Sequence, residues 1–437
     1  MTGNVIRGLE LITEARTKRH VVLSFSYQGG PRQQKVQWFG SVAWRISDVM
    51  REDIRVGTPL IAVGLFAGIG GVEEGLRRAG VAQAELLVDN WSAAQDVLRV
   101  RFPDAKLEGD VSGLRSLPKV DLLAAGFPCT DLSQAGRTAG ITGQASSLVS
   151  YVFKLLKSAD PTWLVIENVR NMLVLDKGNA MRYLISELEH HKYRWAYRLV
   201  DSRSTGVAQR RQRVIMLASR NENPADVLLA DDAGEPANDH YRNEAFGFYW
   251  TEGLRGLGWA QDAVPTLKGG STVGIPSPPG IWVKAGQPGR RLVVPSIEEA
   301  EELQGFDRGW TEPAESPRSN GPRWKLVGNA VTVGVSEWLG NNLRCPGRHD
   351  RHNGSIVTDG RWPLAAWGDG GKVYQANVSM WPIRLPYRHL LSTVAHQSAR
   401  PLSYRAAAGF CSRMKRAKLR FDEEFAADVA EHVRLTA

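Results

Sequence analysis

One cysteine stands where a nucleophile could act. Cys129 follows the apolar run VDLLAAGF and opens the segment CTDLSQAG. Pro128 restricts the backbone before it, so we expect the thiol at a strand end with a defined direction. A thiolate there would be a strong nucleophile, and an inert buried cysteine is the alternative. Cys345 and Cys411 are the other cysteines, and no CxxC spacing predicts a zinc site or a disulfide framework.

Charged side chains with possible catalytic or binding roles occur in two other segments. Glu167 ends the apolar run WLVIENV, where a carboxylate is costly to bury unless it is paired or used. In QRRQRVIML, a strand period of two predicts Gln209, Arg211 and Arg213 on one face, as a clamp for an anion or a base edge. Arg210 would point the other way. For Glu167 the alternative is a carboxylate whose hydrogen bonds come only from backbone donors. For the QRRQR segment the alternative is a basic strand edge in contact with solvent.

A glycine-rich turn is a candidate cofactor site. The run LIAVGLF leads through AGIGG into the helical stretch VEEGLRRAG. Gly68, Gly70 and Gly71 would let the backbone approach a ligand, and the following helix N-terminus favours an anion. Asp89 ends the next apolar run, where such folds place an acid on ribose hydroxyls. The pattern indicates a nucleotide-type cofactor, and a tight structural turn is the alternative.

Alternating elements would hold these residues in place. The apolar runs PLIAVGLF, ELLVDN, VDLLAAGF and WLVIENV are separated by helical stretches. This order predicts an α/β fold with a doubly wound parallel sheet and ligands at the carboxyl ends of its strands. Residues 221–290, rich in Gly, Pro, Asp and Asn, are typical of loops on a smaller recognition lobe. Ser296 and Glu299 have capping-box spacing, and YRAAAGFCSRMKRAKLRF indicates a basic helix.

The composition narrows the classes of function. Among 437 residues there are 55 Lys and Arg against 46 Asp and Glu, a formal charge of +9 that favours a polyanionic partner. No run approaches the roughly 18 apolar residues of a membrane span. The N-terminus lacks the apolar segment and cleavage site of an export signal. We therefore expect a cytoplasmic protein with no membrane partner.

Read in order, these segments resemble the motif set of the DNA cytosine-5 methyltransferase family. The matching segments are FAGIGG (66–71), GFPCTDLSQAG (126–136), ENV (167–169), QRRQR (209–213), RLVVPSIEEAEELQGF (291–306) and GNAV (328–331). They follow the family's unpermuted order across about residues 58–343. The resemblance implies a Rossmann-like domain that uses S-adenosyl-L-methionine, with a smaller target-recognition domain beside it.

The resemblance also implies a mechanism on cytosine in duplex DNA. The Cys129 thiolate would attack C6 of the ring and so make C5 the nucleophile that takes the methyl group. Glu167 would engage N3 and the amino group, while Arg213, with Arg211 beside it, would hold the ring. Because C5 and C6 are inaccessible in a stacked duplex, the base would be flipped out.

Binding residues follow from the same resemblance. S-adenosyl-L-methionine, with no metal, would be held by Phe66, Gly68, Ile69, Gly70, Asp89, Asp110, Pro128, Leu148, Asn329 and Val331, and would leave as S-adenosyl-L-homocysteine. DNA would be contacted by Ser133, Gln209, Thr266, Leu267 and Lys268. The chain departs from the family pattern at Thr130, usually Gln, at Asp89, usually Glu, and at Asn90, often aromatic. Contacts to the orphan guanine and to adenine should therefore differ.

We expect the chain to divide into an N-terminal extension (1–56), a catalytic and cofactor-binding domain (57–220), a target-recognition domain (221–322), a return to the catalytic domain (323–345) and a C-terminal extension (346–437). The roles of both extensions and the recognition sequence are left open. A monomer on double-stranded DNA is expected in a prokaryotic nucleoid, with a cognate restriction endonuclease, acting separately, as a further candidate partner. A solitary or phage-borne enzyme fits equally well.

Two alternative functions are considered for this sequence. One is cytosine-5 methylation of structured RNA, which a branch of the family performs. The other is a non-catalytic DNA-binding regulator. A regulator should lack Cys129, Glu167 or the glycine turn, and the chain retains all three.

Overall fold

The computed structural model describes residues 58–128, 148–254, 256–269, 276–315, 321–352, 354–358, 360–369, 371–395 and 399–437. The chain divides into two units, residues 1–57 and 58–437, and the described residues all lie in the second. The predictions for the N-terminal extension, for Cys129, for Thr130 and for Ser133 fall outside the described residues.

The described strands are, in chain order, β1 (Leu60–Leu65), β2 (Ala82–Val88), β3 (Lys106–Glu108), β4 (Leu122–Ala125), β5 (Trp163–Val169), β6 (Arg194–Asp201), β7 (Gln209–Arg210), β8 (Gln212–Ser219), β9 (Ala245–Phe248), β10 (Ala260–Gln261), β11 (Val264–Pro265), β12 (Gly280–Val283), β13 (Leu292–Val294), β14 (Gly354–Ile356), β15 (Ala365–Asp369), β16 (Lys372–Ala376) and β17 (Arg400–Pro401). The described α-helices are α1 (Gly71–Arg78), α2 (Ser92–Arg101), α3 (Leu148–Ala159), α4 (Asn179–His190), α5 (Pro224–Leu228), α6 (Ile297–Leu303), α7 (Gly321–Asn329), α8 (Val333–Arg344), α9 (Leu390–Thr393), α10 (Tyr404–Arg416) and α11 (Glu423–Thr436).

The larger sheet of the described region has ten strands in the order β14-β16-β15-β6-β8-β5-β4-β1-β2-β3. Strands β5, β4, β1, β2 and β3 pair in parallel, whereas β8 runs antiparallel between β5 and β6. The strand order reverses at the neighbouring strands β1 and β4, and in such sheets ligands bind in the crevice outside the carboxyl ends at this point. The strands predicted from the apolar runs are confirmed.

Both faces of this sheet are covered by helices. Ala62 and Ala124 pack toward Leu76 of α1 and Trp338 of α8. Their chain neighbours Val63 and Leu123 pack toward α3 and α4 on the opposite face. Successive side chains of a strand point to opposite faces, so a continuous apolar run requires burial on both. The doubly wound, Rossmann-like fold is therefore confirmed.

A five-stranded antiparallel sheet has the order β10-β9-β12-β13-β17, and three of its strands, β9, β10 and β12, come from the region expected to be loops. Helix α6 follows it and begins with the predicted capping box, in which Ser296 and Glu299 bond each other's backbone N–H groups. No helix among the described residues is long and apolar enough to cross a bilayer.

The C-terminal segment, residues 346–437, contributes to both sheets. Strands β14, β15 and β16 extend the large sheet beyond β6, and β17 forms an edge of the small sheet. Helices α10 and α11 pack on the small sheet through Phe410 and Phe425, which contact Phe248 of β9. The predicted basic helix is confirmed as α10 for residues 404–416, and the helix ends before Lys418 and Arg420.

Candidate active site

The turn after β1 has the backbone of a ligand-binding loop. Phe66, Gly68 and Gly70 have φ angles of 58°, 57° and 80°, a left-handed region that L side chains rarely adopt. A Cβ at Gly71 would overlap the carbonyl oxygen of Val331, whereas a Cβ at Gly68 would meet no described atom within 4 Å. The turn is therefore packed tightly behind Gly71 and open in front of Gly68, where a ligand fits.

Asp89, after the end of β2, is tied to the same turn. Its carboxylate accepts the Gly68 N–H at 2.8 Å and the Trp91 N–H at 2.9 Å. Burial raises the pKa of Asp89, and these two backbone hydrogen bonds oppose the rise. The acid thus lies beside the open part of the turn.

The other predicted cofactor residues differ in exposure. Ile69 is buried, and its carbonyl oxygen accepts the Trp310 indole N–H at 2.9 Å. Asp110 is exposed, and its pKa is lowered by hydrogen bonds from Ser112. Asn329 is exposed at the end of α7. Asp110 and Asn329 are therefore open to solvent, whereas Ile69 is not.

The ends of β1, β4 and β5 meet in front of the turn. The Gly126 N–H donates to the carbonyl of Leu65 at 3.4 Å, and the rings of Phe66 and Phe127 meet edge to face at 6.4 Å. Pro128 is exposed at the last described position before Cys129. Leu148, the first residue of α3, is half-buried against the same core as Phe66.

An ion pair lies at this edge of the sheet. The Oε1 atom of Glu167 is 2.9 Å from Nε of Arg213, and their side chains are 11% and 12% exposed. In the antiparallel β5–β8 pair, Val169 is opposite Arg213 and Glu167 is opposite Ile215. Residues two apart across such a pair are diagonal neighbours on one face. A nearly buried carboxylate and a guanidinium therefore point into one space.

The predicted alternation through QRRQR holds for Gln209 and Arg211, which are both fully buried, but not for Arg213, because no continuous strand crosses the segment. Strand β7 ends at Arg210 and β8 begins at Gln212, so Arg211 lies in a break. Arg211 is fully buried and donates to the carbonyls of Leu267, Gly328 and Ala330 at 2.6–3.2 Å. The prediction that Arg211 helps to hold a base is corrected: its guanidinium joins two backbone segments inside the protein, one at Leu267 and one at Gly328 and Ala330.

Two of the predicted DNA contacts are also corrected by burial. Gln209 is fully buried, donates to Leu303 O and Gln304 Oε1 and accepts the Leu267 N–H. Leu267 is 2% exposed. A side chain closed off from solvent does not reach a duplex, so both residues shape the protein instead.

Arg210 lines the same cleft as Arg213, although the period of two placed it on the other face. This cleft, of about 540 Å³, is lined by Val169, Arg170, Asn171, Arg210, Gln212, Arg213, Tyr249, Pro265 and Thr266. Its volume lies within the range of small-molecule sites. Thr266 donates its hydroxyl to the carbonyl of Arg210 at 3.0 Å, which holds the segment after β11 against β7, its partner in a two-stranded parallel sheet.

Lys268 lies beside this wall and is exposed. Its ammonium pairs with Glu252 and lies 3.7 Å from the ring centroid of Tyr249. The Tyr249 hydroxyl donates to the carbonyl of Thr266 at 2.7 Å. Of the predicted DNA contacts that are described, Thr266 and Lys268 are thus at or beside the cleft.

Two site residues were missed by the sequence analysis. Asn168 is buried and donates to the carbonyl of Phe127 at 3.0 Å, which ties β5 to the segment preceding Cys129. Its position next to Glu167 in the sequence could have indicated that Asn168 belongs to the site. Tyr249 reaches the cleft only through the fold of the smaller sheet, and no sequence signal indicated it. Among the described residues, no group of three or more His, Cys, Asp or Glu could hold a metal ion.

Comparison with known proteins provides independent evidence. Residues 61–254 match the profile of the family C-5 cytosine-specific DNA methylase. The chain is 45% identical over 83% of its length to 95% of the type II methyltransferase M2.BsuMI of Bacillus subtilis. It is 31% identical over 43% of its length to 44% of the type II methyltransferase M.BanI of Aneurinibacillus aneurinilyticus. A solved structure, S. pombe Dnmt2 methyltransferase, aligns with 65% of the chain and 98% of its own at 16% identity and a TM-score of 0.48.

Proposed function

The chain belongs to the C-5 cytosine-specific DNA methylases and is a DNA cytosine-5 methyltransferase, and from this premise we propose which of its residues perform the reaction. The observation that carries the proposal is the Glu167–Arg213 pair at the carboxyl edge of the sheet. It lies beside the end of β4, which leads to Cys129, and the turn after β1 lies one strand further. The reaction requires the target base, the nucleophile and the methyl donor to be close together. The pair, the strand that leads to Cys129 and the glycine turn would each serve one of them.

Glu167 and Arg213 hold the target cytosine. The Glu167 carboxyl group engages N3 and the exocyclic amino group, while Arg213 donates to the ring carbonyl oxygen. Both side chains are nearly buried, so their hydrogen bonds act in a low dielectric and are stronger than in water. The negative charge that nucleophilic attack sends into the ring is compensated at N3 as it forms.

Cys129 provides the nucleophile. Its thiolate forms a bond to C6, and the electron pair of the C5–C6 double bond becomes available at C5. C5 then takes the methyl group, after which loss of the C5 proton expels the thiolate and restores the double bond. Asn168 contributes by holding the Phe127 carbonyl two residues before Cys129.

The turn after β1 holds S-adenosyl-L-methionine. The open space at Gly68 and the carboxylate of Asp89 fit a nucleoside with free ribose hydroxyls. Phe66, Gly70, Asp110, Pro128, Leu148, Asn329, Val331 and the main chain of Ile69 complete the proposed set. When bound, the cofactor supplies an electrophilic methyl group and leaves as S-adenosyl-L-homocysteine. No metal takes part in the proposal.

Duplex DNA lies in the cleft between the two sheets, with the target base rotated out of the stack. This rotation costs a few kcal/mol, which contacts from the protein must offset. Thr266 and Lys268, which follow β11, are the described candidates for contacts to DNA, and Ser133 remains a candidate from the sequence. We further propose a monomer in a prokaryotic cytoplasm, with a cognate restriction endonuclease acting separately, since the relative M2.BsuMI is a type II enzyme.

The test is transfer of labelled methyl from S-adenosyl-L-methionine to unmethylated plasmid DNA, by wild type and Cys129→Ala, with products mapped by bisulfite sequencing. Methylation of one cytosine context by wild type alone is expected. Transfer by Cys129→Ala would refute the covalent step. A parallel reaction with structured RNA addresses the RNA alternative: transfer to RNA but not DNA would overturn the proposed substrate. Cofactor binding without transfer to either would favour the regulator.

A further inference from the structure

The C-terminal segment carries an uncompensated basic surface. Residues 404–420 contain no Asp or Glu, and their basic residues are Arg405, Arg413, Lys415, Arg416, Lys418 and Arg420. All of these except Arg413 are exposed. We name the last four of them, Lys415, Arg416, Lys418 and Arg420, the basic patch.

Three of the acidic side chains that follow the patch are engaged elsewhere, and a fourth, Glu423, is exposed. Asp422 caps α11 through the Phe425 N–H at 3.0 Å. Glu424 faces Lys284 at 3.5 Å, and Asp428 pairs with Arg291. Within the part of the chain that the structure describes, no ion pair to a carboxylate involves a member of the basic patch. Its charges therefore act on the solvent, where they attract a polyanion.

Helix α10, which carries Lys415 and Arg416 of the patch and leads directly to Lys418 and Arg420, is fixed to the small sheet. Phe410 is fully buried and packs on Phe248 and Phe425, with ring centroids 5.1 and 6.0 Å away. One turn later, Arg413 donates to the carbonyls of Trp250 at 2.6 Å and Glu252 at 2.9 Å. These bonds hold the last turn of α10 against residues 250–252, so Lys415 and Arg416 start from a fixed backbone and Lys418 and Arg420 follow it directly.

The same segment reaches the active cleft through Tyr249. Tyr249 lines the cleft beside Thr266, and the Glu252 N–H donates back to the Tyr249 carbonyl at 3.1 Å. Glu252 pairs in turn with Lys268. One short turn therefore contacts the cleft on one side and the basic helix on the other. Lys415 and Arg416 lie within a helical turn, about 5.4 Å, of Arg413.

We propose that the basic patch binds the phosphate backbone of the same duplex whose target base occupies the cleft, a few base pairs from that base. The proposal rests on the proposed function, because it requires duplex DNA in the cleft. It gives the C-terminal segment a function: it extends the recognition domain with contacts that do not depend on sequence. Such contacts set the position of the protein on the duplex and the salt dependence of its affinity.

The experiment compares the full chain carrying Lys415→Gln, Arg416→Gln, Lys418→Gln and Arg420→Gln with wild type. A matched control carries Lys106→Gln, Lys119→Gln, Lys157→Gln and Arg194→Gln, exposed residues near the amino ends of the parallel strands, away from the cleft. Affinity for a fluorescent 40-base-pair duplex of arbitrary sequence is measured by anisotropy from 50 to 300 mM salt. Methyl transfer to unmethylated plasmid DNA is measured alongside, and circular dichroism verifies folding.

We expect the patch variant to lose about 0.9 from the slope of log affinity against log salt for each phosphate contact removed. Its KM for DNA should rise while kcat at saturating DNA stays unchanged, and the control should match wild type. A patch variant with the slope of wild type would overturn the inference, as would equal losses in both variants. Failure of the proposed function shows separately, as absence of methyl transfer by the wild type.

Discussion

The carboxylate of Glu167 lies 2.9 Å from the guanidinium Nε of Arg213 across the antiparallel pair of β5 and β8. The two residues come from separate motifs, and only this pairing unites them at the cleft. Because a base held between them would meet an acceptor and a donor at fixed positions, each should affect the rate of methyl transfer more than the stability of the fold.

Glu167→Gln should reduce kcat for methyl transfer by roughly 10²–10⁴-fold, the range typical of general acid–base groups. The amide cannot share a proton with N3, although it retains the shape of the side chain. Duplex affinity should stay unchanged. Glu85→Gln, an exposed position on β2, is the matched control. Steady-state kinetics and anisotropy check the prediction, and an unaltered kcat in Glu167→Gln would contradict the assignment.

Arg211 and Arg213 should respond differently to the same substitution. Arg211→Lys should lower the free energy of unfolding by about 2–4 kcal/mol, because an ammonium cannot satisfy all the buried carbonyls that the guanidinium binds. Arg213→Lys should lower kcat and leave unfolding nearly unchanged. Urea titrations and methyl-transfer rates of both variants test this, and reversed effects would show that the assignments are exchanged.

Asn168→Ala should lower kcat by changing the position of Cys129, without removing a group that contacts the base. It removes the hydrogen bond to the Phe127 carbonyl and releases the segment before Cys129, and a misplacement of about 1 Å costs up to 10²-fold in rate. We expect kcat to fall by roughly 10–100-fold with the KM for DNA unchanged. A rise in KM without loss of kcat would indicate that Asn168 serves DNA binding instead.

Gly71→Ala should damage the cofactor site. Its new methyl group would overlap the Val331 carbonyl oxygen, and overpacking of this kind costs about 1–3 kcal/mol. Titration calorimetry with S-adenosyl-L-homocysteine should show weakened binding. Gly113→Ala is the control, since its φ is not positive and its Cβ would meet no described atom within 4 Å. Equal affinities in the two variants would contradict the close approach of Gly71 to Val331.

Glu73 should make stability depend on pH. Burial, with a smaller contribution from the charge of Asp89, raises the pKa of Glu73 to about 7, and one of its oxygens has no hydrogen-bond partner among the described residues. The native state therefore holds a proton that the unfolded state releases near its ordinary value of 4.5. Its contribution to stability is complete below pH 4.5 and is lost as the pH rises through 7.

Glu73→Gln should remove this dependence, which amounts to at most about 3 kcal/mol at one pKa unit per 1.36 kcal/mol. Urea titrations at pH 5 and pH 8 measure it in both proteins. Wild type should lose more stability than the variant between these values. Equal losses in the two proteins would mean that Glu73 does not hold its proton in the native state.

Much of the site followed from local sequence patterns. The apolar runs ending near Phe66 and Glu167 predicted the strand ends, because burial on both faces requires continuous apolar residues. The glycines at 68 and 70 predicted a turn that only a left-handed backbone can make. The capping box at Ser296 is complete within four residues. In each case the determining interactions are close in the chain.

Pairing between strands that are far apart in the sequence determined the remaining features of the site. The antiparallel entry of β8 beside β5 brought Arg213 to Glu167, and the break at Arg211 buried a guanidinium that the strand period had placed in the site. Residues 346–437, without a readable motif, joined both sheets and placed the basic patch near the cleft. The sequence alone determined the chemical groups and the strands that carry them. Tertiary structure decided which groups meet, because strand pairing depends on backbone contacts between segments far apart in the chain.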